Sequence, residues 1–251
     1  MSSGYRFTSA KARGGALVTG GGSGIGYATA IALAERGFEV TVASVEDSAF
    51  LPEHISYVRA DITDISEHEA LVRRVRNPVC LVNCAGVTSL VRGDLMELTP
   101  LSFDRVMGVN VRATFFLTQT FARHMLQADA TENYRSIIFV GSINSHVVGE
   151  TRADYCMSKS AVAMMSKLFA ARLAGDGIMT HEVRPGVIRT PMTAAASERY
   201  DRLIVEGGIP AGRWGEVDDV AGAITALALG SFPYATGTAV DIAGGLQIHR
   251  V

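Results

Sequence analysis

Apolar runs and helical repeats alternate along the chain, and most of the runs end in small or polar residues. Seven of the short runs are rich in Val, Ile and other residues that favour strands. They span residues 16–18, 39–43, 55–58, 79–82, 135–140, 179–183 and 239–242. Between them, apolar residues recur every three or four positions, as on the buried face of a helix. This alternation predicts an α/β fold, a doubly wound parallel sheet of about seven strands with helices on both faces.

The first predicted strand runs into a glycine-rich turn and then into a helix. The turn reads Thr-Gly-Gly-Gly-Ser-Gly-Ile-Gly and ends at Gly26. The first amides of a helix have no partner within it, and the helix dipole adds partial positive charge there. Glycines let a pyrophosphate approach these amides, which predicts a Rossmann-type dinucleotide site, although a turn that only redirects the chain is the alternative. The residues predicted to contact the cofactor here are Gly20, Gly22, Ser23, Gly24, Ile25 and Gly26.

The end of the second strand bears on the choice between NAD and NADP. Ser44 stands where an acid would bind the adenosine ribose and favour NAD. Glu46 and Asp47 follow and would repel the extra phosphate of NADP, whereas Arg13 and Arg59 would attract it if they came near. The pattern favours NAD slightly over NADP, and a solvated acidic turn without a role in binding is the alternative.

Small and polar residues also follow the later strands. The fourth strand leads into Asn-Cys-Ala-Gly at 83–86, where small residues permit close approach of backbone and ligand. Ser142 follows the fifth strand, at the edge where open sheets bind ligands. Asn110 lies in the apolar stripe of a helix predicted over residues 102–127. Its amide must be hydrogen-bonded, either to a main-chain carbonyl or at a local helix disruption that holds a water.

Tyr155 and Lys159 begin a helix predicted over residues 153–174, and their spacing places them on one face. A Tyr-x-x-x-Lys motif alone is common. Here it follows the glycine turn, the Asn-Cys-Ala-Gly segment and Asn110 in a fixed order. Together these motifs resemble the short-chain dehydrogenase/reductase family, in its small single-domain branch, from residue 14 onward.

Two further segments indicate which members of this family the chain resembles. Residues 135–174 and the ending Thr-Gly-x-x-x-Asp-x-x-Gly-Gly at 236–245 are similar to bacterial 3-oxoacyl-acyl-carrier-protein reductase-like proteins. The chain departs from the family pattern at Cys84, where Asn is usual, and at Gly141, which is often Ser. Neither departure removes a catalytic group.

The resemblance implies an NAD(P)-dependent oxidoreductase that transfers a hydride between nicotinamide and a carbonyl or secondary alcohol. It assigns a catalytic tetrad of Asn110, Ser142, Tyr155 and Lys159. Tyr155 would act as acid and base. A free phenol loses its proton only near pH 10, so Lys159, the helix N-terminus and the oxidised nicotinamide must favour its phenolate. Ser142 would bind the substrate oxygen, and Asn110 would hold a water that links Lys159 to solvent.

The resemblance also implies the remaining contacts. Further cofactor contacts are expected from Ser44, Asp61, Ile62, Asn83, Ala85, Gly86, Tyr155, Lys159, Pro185, Gly186, Val187, Ile188 and Thr190. Asp61 would accept from the adenine amino group, or else serve only as a turn or capping residue. Val187 and Ile188 would meet the carboxamide, and Thr190 the pyrophosphate. Substrate contacts are expected from Ser142, Asn144, His146 and Met192, beneath a mobile helical flap or a plain surface excursion at 190–213.

The composition of the chain limits the domain organisation and the partners that we expect. Of the 251 residues, 48% are hydrophobic, enough to bury a core without disulfides or metals. We expect a flexible N-terminal lead-in at 1–13 and a single dinucleotide-binding and catalytic domain over 14–251. A net charge of −2 gives no reason to expect nucleic acid or an anionic membrane as a partner. The longest apolar run, 220–229, is too short to span a bilayer.

The cysteines and histidines favour a cytoplasmic protein without a metal. Cys80, Cys84 and Cys156 cannot all pair, and no signal peptide is evident, so the reducing cytoplasm is expected. The six histidines have no metal-ligand spacing.

The helix at 153–174 is apolar nearly all round, and only one of its sides can face the sheet. A homodimer or homotetramer through its outer side is therefore expected, with cover by loops of the same chain as the alternative.

Other functions remain as alternatives to a small carbonyl reductase. One is a non-catalytic dinucleotide-binding regulator, and another is a sugar-nucleotide epimerase or dehydratase, whose chains are usually longer. Within the dehydrogenases, 3-oxoacyl reduction competes with oxidation of a sugar or polyol. The flap has no evident cationic cluster for a carrier protein, although Arg189, Arg199 and Arg202 would contribute to one.

Overall fold

The computed structural model describes residues 13–47, 50–128 and 133–249. The lead-in predicted for residues 1–13 therefore lies, apart from Arg13, outside the described residues.

A seven-stranded parallel sheet forms the centre of the molecule, as the alternation of apolar runs predicted. Its order is β3-β2-β1-β4-β5-β6-β7. The strands are Gly15–Thr19 (β1), Glu39–Ser44 (β2), Ser56–Arg59 (β3), Pro78–Asn83 (β4), Arg135–Val140 (β5), Ile178–Pro185 (β6) and Ala239–Ile242 (β7). The order reverses between β1 and β4, and in open α/β sheets a ligand crevice opens beyond the carboxyl ends of strands at this point.

Helices cover both faces of the sheet. They are Gly24–Glu35 (α1), His68–Val72 (α2), Pro100–Met107 (α3), Thr114–Gln127 (α4), Ala153–Leu173 (α5), Pro191–Ala194 (α6), Ser197–Val205 (α7) and Val217–Ala228 (α8). Because neighbouring strand residues point to opposite faces, Val18 packs with α1 and α8, whereas Leu17 packs with α4 and α5. None of the helices in the described ranges is long and apolar enough to cross a membrane.

Two predicted helices differ from those in the structure. The sequence after β3 predicts a short helix over about residues 66–76, ended by Pro78. In the structure that helix stops at Val72, and Pro78 begins β4. Three residues of this short helix are buried, His68, Leu71 and Val72. The helix expected over 102–127 is interrupted by a π-helical segment, Gly108–Ala113, between α3 and α4.

The segment between β6 and α8 has a small core of its own. Tyr200 and Trp214 pack edge to face with ring centroids 5.5 Å apart, and Val187 and Ile209 complete the cluster. This core holds α7 over the carboxyl edge of the sheet. Movement of the segment as a flap stays a prediction.

Candidate active site at the carboxyl edge of the sheet

A cavity of about 1100 Å³ opens at the carboxyl edge of the sheet. Pockets for single small ligands are roughly 300–1000 Å³, so this one has room for a dinucleotide and a second molecule. The predicted site residues among its lining are Gly20, Ser23, Gly24, Ile25, Gly26, Ser44, Asp61, Ile62, Ala85, Gly86, Ser142, Asn144, Tyr155, Lys159, Pro185, Gly186, Val187, Ile188, Thr190 and Met192. Residues far apart in sequence thus share one cleft.

The glycine turn fits a pyrophosphate because side chains are excluded from it. Gly20 has φ +64°, and a Cβ there would lie 2.8 Å from the Cα of Ala85. A Cβ at Gly26 would overlap the carbonyl oxygen of Gly20. The side chain of Ser23 makes no capping hydrogen bond at the start of α1, and the first turn carries no acidic residue. The first amides of α1 are therefore available to an anion in the cavity.

The end of β2 carries negative charge toward this turn. The Ser44 hydroxyl donates to the Glu46 carboxylate, and a Cβ at Gly22 would lie 2.9 Å from Glu46 Oε2. Gly22 itself lies beside this pair rather than in the cavity lining. Arg59 pairs with Asp47 at 3.2 Å, with both side chains exposed.

Arg13 and Asp61 have defined positions as well. Arg13 donates to the carbonyl of Arg36 at 3.0 Å, before the start of β1, and so lies at the opposite edge from the cavity. Arg13 therefore does not come near the cofactor site, and it cannot attract the extra phosphate of NADP. Asp61 accepts from the amide and hydroxyl of Thr63 at 2.9 and 2.8 Å, which makes it a turn residue that also lines the cavity.

Tyr155 and Lys159 project from the first turns of α5 into the cavity. Lys159 Nζ lies 5.7 Å from the centroid of the Tyr155 ring and donates to the Val140 carbonyl at 2.8 Å. Both side chains are at most 9% exposed. A Cβ at Gly86 would lie 3.7 Å from Nζ, so this glycine keeps the space beside the ammonium open.

A buried carboxylate holds the start of α5 in place. Asp154 is fully buried and accepts from the Ser102 hydroxyl at 2.6 Å, the Ser89 hydroxyl and the Tyr155 amide at 2.7 Å. These bonds tie α3 and the loop after β4 to the residue next to Tyr155. Asp154 therefore positions Tyr155 without lining the cavity.

Asn110 sits within the π-helical segment and is 2% exposed. Its Oδ1 accepts from the Val87 amide at 2.8 Å, and its Nδ2 donates to the Val87 carbonyl and the Ser158 hydroxyl, both at 2.9 Å. The amide therefore binds a main-chain carbonyl, as expected, and it also lies at a local helix disruption. It borders the site through Ser158 and Gly86 rather than lining the cavity, and its relay water stays a prediction.

The loop after β5 presents Ser142 and Asn144 to the cavity. The Ser142 hydroxyl accepts from the Asn144 amide at 3.1 Å, which leaves its proton available to a ligand oxygen. The structure does not bring His146 or the Asn83 side chain to this cavity. His146 turns toward β7, 3.8 Å from Asp241, and Asn83 donates to Thr118 at 3.0 Å because its amide is buried against α4.

Comparison with known proteins places this site in a family. A family model described as enoyl-(acyl carrier protein) reductase matches residues 20–247. A (3R)-3-hydroxyacyl-CoA dehydrogenase of Canis lupus familiaris is 32% identical, over 93% of this chain and 96% of that protein. The chain belongs to the short-chain dehydrogenase/reductase family.

Solved structures agree with this membership. A 3-oxoacyl-[acyl-carrier protein] reductase from Brucella melitensis, in complex with NAD, has a TM-score of 0.93 and 41% identity over 96% of this chain and 100% of that chain. A putative 2-deoxy-D-gluconate 3-dehydrogenase from Agrobacterium tumefaciens, with bound NADP, has a TM-score of 0.81 and 30% identity over 94% and 96%. The chain is thus an NAD(P)-dependent oxidoreductase, and the predicted family and fold are confirmed.

The two departures from the pattern of short-chain dehydrogenase/reductases have local explanations. Burial raises the pKa of Cys84 to about 12, against the opposing charge of Lys159, so its thiol stays protonated and packs as a small apolar group. No group of three or more His, Cys, Asp or Glu side chains in the described ranges is placed to hold a metal. At Gly141, a Cβ would overlap Oε1 of Glu182.

Gly141 leaves room for a buried ion pair. Glu182 is 2% exposed and pairs with Arg184 at 2.8 Å, directly behind the loop that carries Ser142. A side chain at 141 would push the carboxylate away from Arg184. Breaking a buried pair costs about 3–5 kcal/mol because one charge is left uncompensated.

We expect Gly141→Ser to lower the free energy of unfolding by about 3 kcal/mol. In the Glu182→Ala background the same change should cost less than about 0.5 kcal/mol, since the clash is absent. Urea denaturation of the four proteins in this cycle measures the coupling. Gly175→Ser, at a glycine with open space around its Cβ position, is the control. If Gly141→Ser lowered the free energy of unfolding equally in both backgrounds, a clash between residue 141 and Glu182 would be contradicted.

Sequence reasoning missed several residues at this site. Arg92, Arg152 and Tyr200 line the cavity, and Asp154 and Glu182 support it from behind. The first three come from loops or from a short helix, where no periodic pattern indicates direction. The unusual glycine at position 141 was the feature of the sequence that could have indicated a side chain such as Glu182 packed against it.

Proposed function

We propose that this protein interconverts a carbonyl and a secondary alcohol with Tyr155 as acid and base. The observation that carries the proposal is the placement of Tyr155 and Lys159 in the same cavity as the glycine turn, with Nζ 5.7 Å from the phenol ring. The phenol oxygen is a group that can donate or accept a proton, and it shares this cavity with the turn that would hold the cofactor.

The bound dinucleotide supplies the hydride chemistry, and the turn at Gly20–Gly26 with Thr190 would hold it. The Ser142 hydroxyl donates to the substrate oxygen, where charge changes during reaction. Tyr155 takes the hydroxyl proton when the alcohol is oxidised and returns it when the carbonyl is reduced. Lys159, fixed by the Val140 carbonyl, keeps positive charge beside that phenol. Asn110 supports this arrangement through Ser158, one residue before Lys159, and holds the relay water.

A panel of ketones and secondary alcohols, screened with NAD(H) and NADP(H) and followed by nicotinamide absorbance, tests the proposal. The names of the similar proteins supply two substrate classes for the panel, 3-oxoacyl thioesters and sugar-derived alcohols. We expect turnover of at least one class. Cofactor binding without turnover of any member would favour a non-catalytic dinucleotide-binding regulator.

NAD is the proposed cofactor. Glu46 places a carboxylate beside Ser44 and the glycine turn, and Asp47 compensates Arg59, so the ribose end of the site is negative. A phosphate added at that end would be repelled.

We expect Glu46→Gln to raise the ratio of kcat/KM for NADP to that for NAD by about tenfold, since removing a nearby like charge is worth roughly 1–2 kcal/mol. Steady-state kinetics with both cofactors measure the ratio. Glu53→Gln, an exposed acid outside the cavity lining, should leave it unchanged. An unchanged ratio in Glu46→Gln would remove this carboxylate from cofactor discrimination.

We also infer a homodimer or homotetramer through α5. Met157, Met164 and Leu168 lie on its outer face and are about half exposed, and Phe116 of α4 is partly exposed too. Such residues on a central helix favour contact with a second copy. Three free cysteines support the cytoplasm as the place where the protein works.

A further inference from the structure

Arginines gather on the substrate side of the cavity. Arg92 comes from the loop after β4, Arg152 precedes the first residue of α5, and Arg199 lies on α7. The glycine turn that would hold the dinucleotide lies between β1 and α1. The three arginines therefore come from other elements of the fold than this turn. All three line the cavity that contains Tyr155.

The guanidinium groups are held at defined places. Arg152 lies over the Tyr155 ring, with Cζ 5.3 Å from its centroid. Arg92 donates to the Tyr200 hydroxyl at 3.5 Å, and its neighbour Gly93 donates to the Thr151 carbonyl at 3.2 Å. Tyr200 is 6% exposed and anchored on Trp214. The two loops and α7 therefore form one connected wall.

The charge of this wall is not compensated by the protein. Within the described ranges, Arg92, Arg152 and Arg199 form no ion pair with a carboxylate, whereas Arg189 and Arg213 outside the wall do. Among the residues that the structure describes, five acidic residues also line the cavity, and none of them forms an ion pair with these guanidinium groups. They are Glu46, Asp61, Asp104, Glu150 and Glu206.

The field of these arginines reaches Tyr200. Burial raises the pKa of its phenol, but the hydrogen bond from Arg92 and the charges of Arg152, Arg92 and Arg199 outweigh burial and lower the pKa below its ordinary value. Like charges held together without counter-ions repel, and an anionic ligand relieves that repulsion.

We infer that Arg92, Arg152 and Arg199 bind the carboxylate of a small oxo or hydroxy acid, which deepens the proposed function and rests on it. Arginine forms paired hydrogen bonds with a planar carboxylate. The short distance between Arg152 and Tyr155 requires that the anion lie only a few bonds from the reacting carbon. In a coenzyme A or carrier-protein thioester the phosphate lies at the far end of the pantetheine arm, so it does not meet this requirement.

Matched acids and esters test the inference on the whole enzyme with its cofactor. The substrates are short 2-oxo, 3-oxo and 5-oxo acids, each with its methyl ester, together with acetoacetyl-CoA as the thioester. We expect kcat/KM for the best acid to exceed that of its ester by at least about tenfold, the size of a charge-assisted hydrogen bond.

Variants assign the preference to the arginines. Arg152→Met should lower kcat/KM for the acid about ten- to a hundredfold and that for the ester only a few-fold, and Arg152→Lys should recover part of the loss. Arg92→Met should act in the same direction. Arg172→Met, on the exposed side of α5 and outside the cavity, is the matched control and should change neither.

Direct binding gives a second measurement. Fluorescence of enzyme-bound NADH should report tighter binding of the hydroxy acids than of their esters, and weaker binding of the acids in Arg152→Met. Equal use of acid and ester, a preference for acetoacetyl-CoA that Arg152→Met does not alter, or no binding of any acid would each overturn the inference. Turnover of neutral ketones in those cases would leave the proposed function intact, whereas a failure of the whole panel would remove both.

Discussion

Tyr155→Phe is expected to lower kcat by about 10²–10⁴-fold, the usual contribution of a general acid or base. The change removes one oxygen and keeps the ring that packs between Arg152 and Lys159. Because the glycine turn and Lys159 remain, the dissociation constant of NADH should stay within a few-fold of the wild-type value. Initial rates and fluorescence titration measure the two quantities separately.

Tyr234→Phe is the matched control, since that tyrosine is fully exposed and lies outside the cavity lining. It should leave both quantities unchanged. Normal turnover in Tyr155→Phe would remove this phenol from the chemistry. Loss of cofactor binding in that variant would instead assign Tyr155 a role in building the cavity.

Lys159→Ala is expected to impair both cofactor affinity and rate. The ammonium is 7% exposed, donates to the Val140 carbonyl and lies beside the space that Gly86 keeps open. Its removal takes away the positive charge next to Tyr155 and the donor that we propose for the cofactor. We expect kcat to fall at least about a hundredfold and the dissociation constant of NADH to rise about tenfold, since hydrogen bonds to charged groups are worth roughly 1.5–3 kcal/mol.

The loss of a buried side chain can also destabilise the fold, so thermal unfolding accompanies the kinetics. Lys159→Met preserves most of the volume and separates charge from packing. Lys167→Ala is the control, since Lys167 is exposed and lies about two helical turns after Lys159 on α5. It should affect neither rate nor affinity. Wild-type affinity and rate in both Lys159 variants would contradict the assigned role.

Asp154 and Glu182 illustrate why residues that share a helix face are easier to place from the sequence than the groups that support them. Tyr155 and Lys159 share a helix face, so their spacing alone places them together. Asp154 acts through Ser89 and Ser102, which are distant in sequence, and Glu182 acts through the space left at Gly141. No periodic pattern links such partners before the chain is folded.

The arginines that line the cavity could not be grouped from the sequence for the same reason. In the sequence, Arg199 was considered only with Arg189 and Arg202, as a contributor to a cationic surface for a carrier protein on the flap. Arg92 and Arg152 lie in loops, and the hydrogen bond between Gly93 and Thr151 brings those loops together at the cavity.

The sequence by itself determined the sheet, its dinucleotide turn and the tyrosine–lysine pair, since strand and helix periods and short-range spacing are local properties of the chain. β5 and β7 coincide with their predicted runs for this reason. The tertiary structure alone decided which way the loop residues point. It turned His146 toward Asp241, placed Arg13 at the far edge of the sheet and made room for Glu182 at Gly141. Those outcomes depend on close packing and on pairing of buried charges between distant segments, which no local pattern encodes.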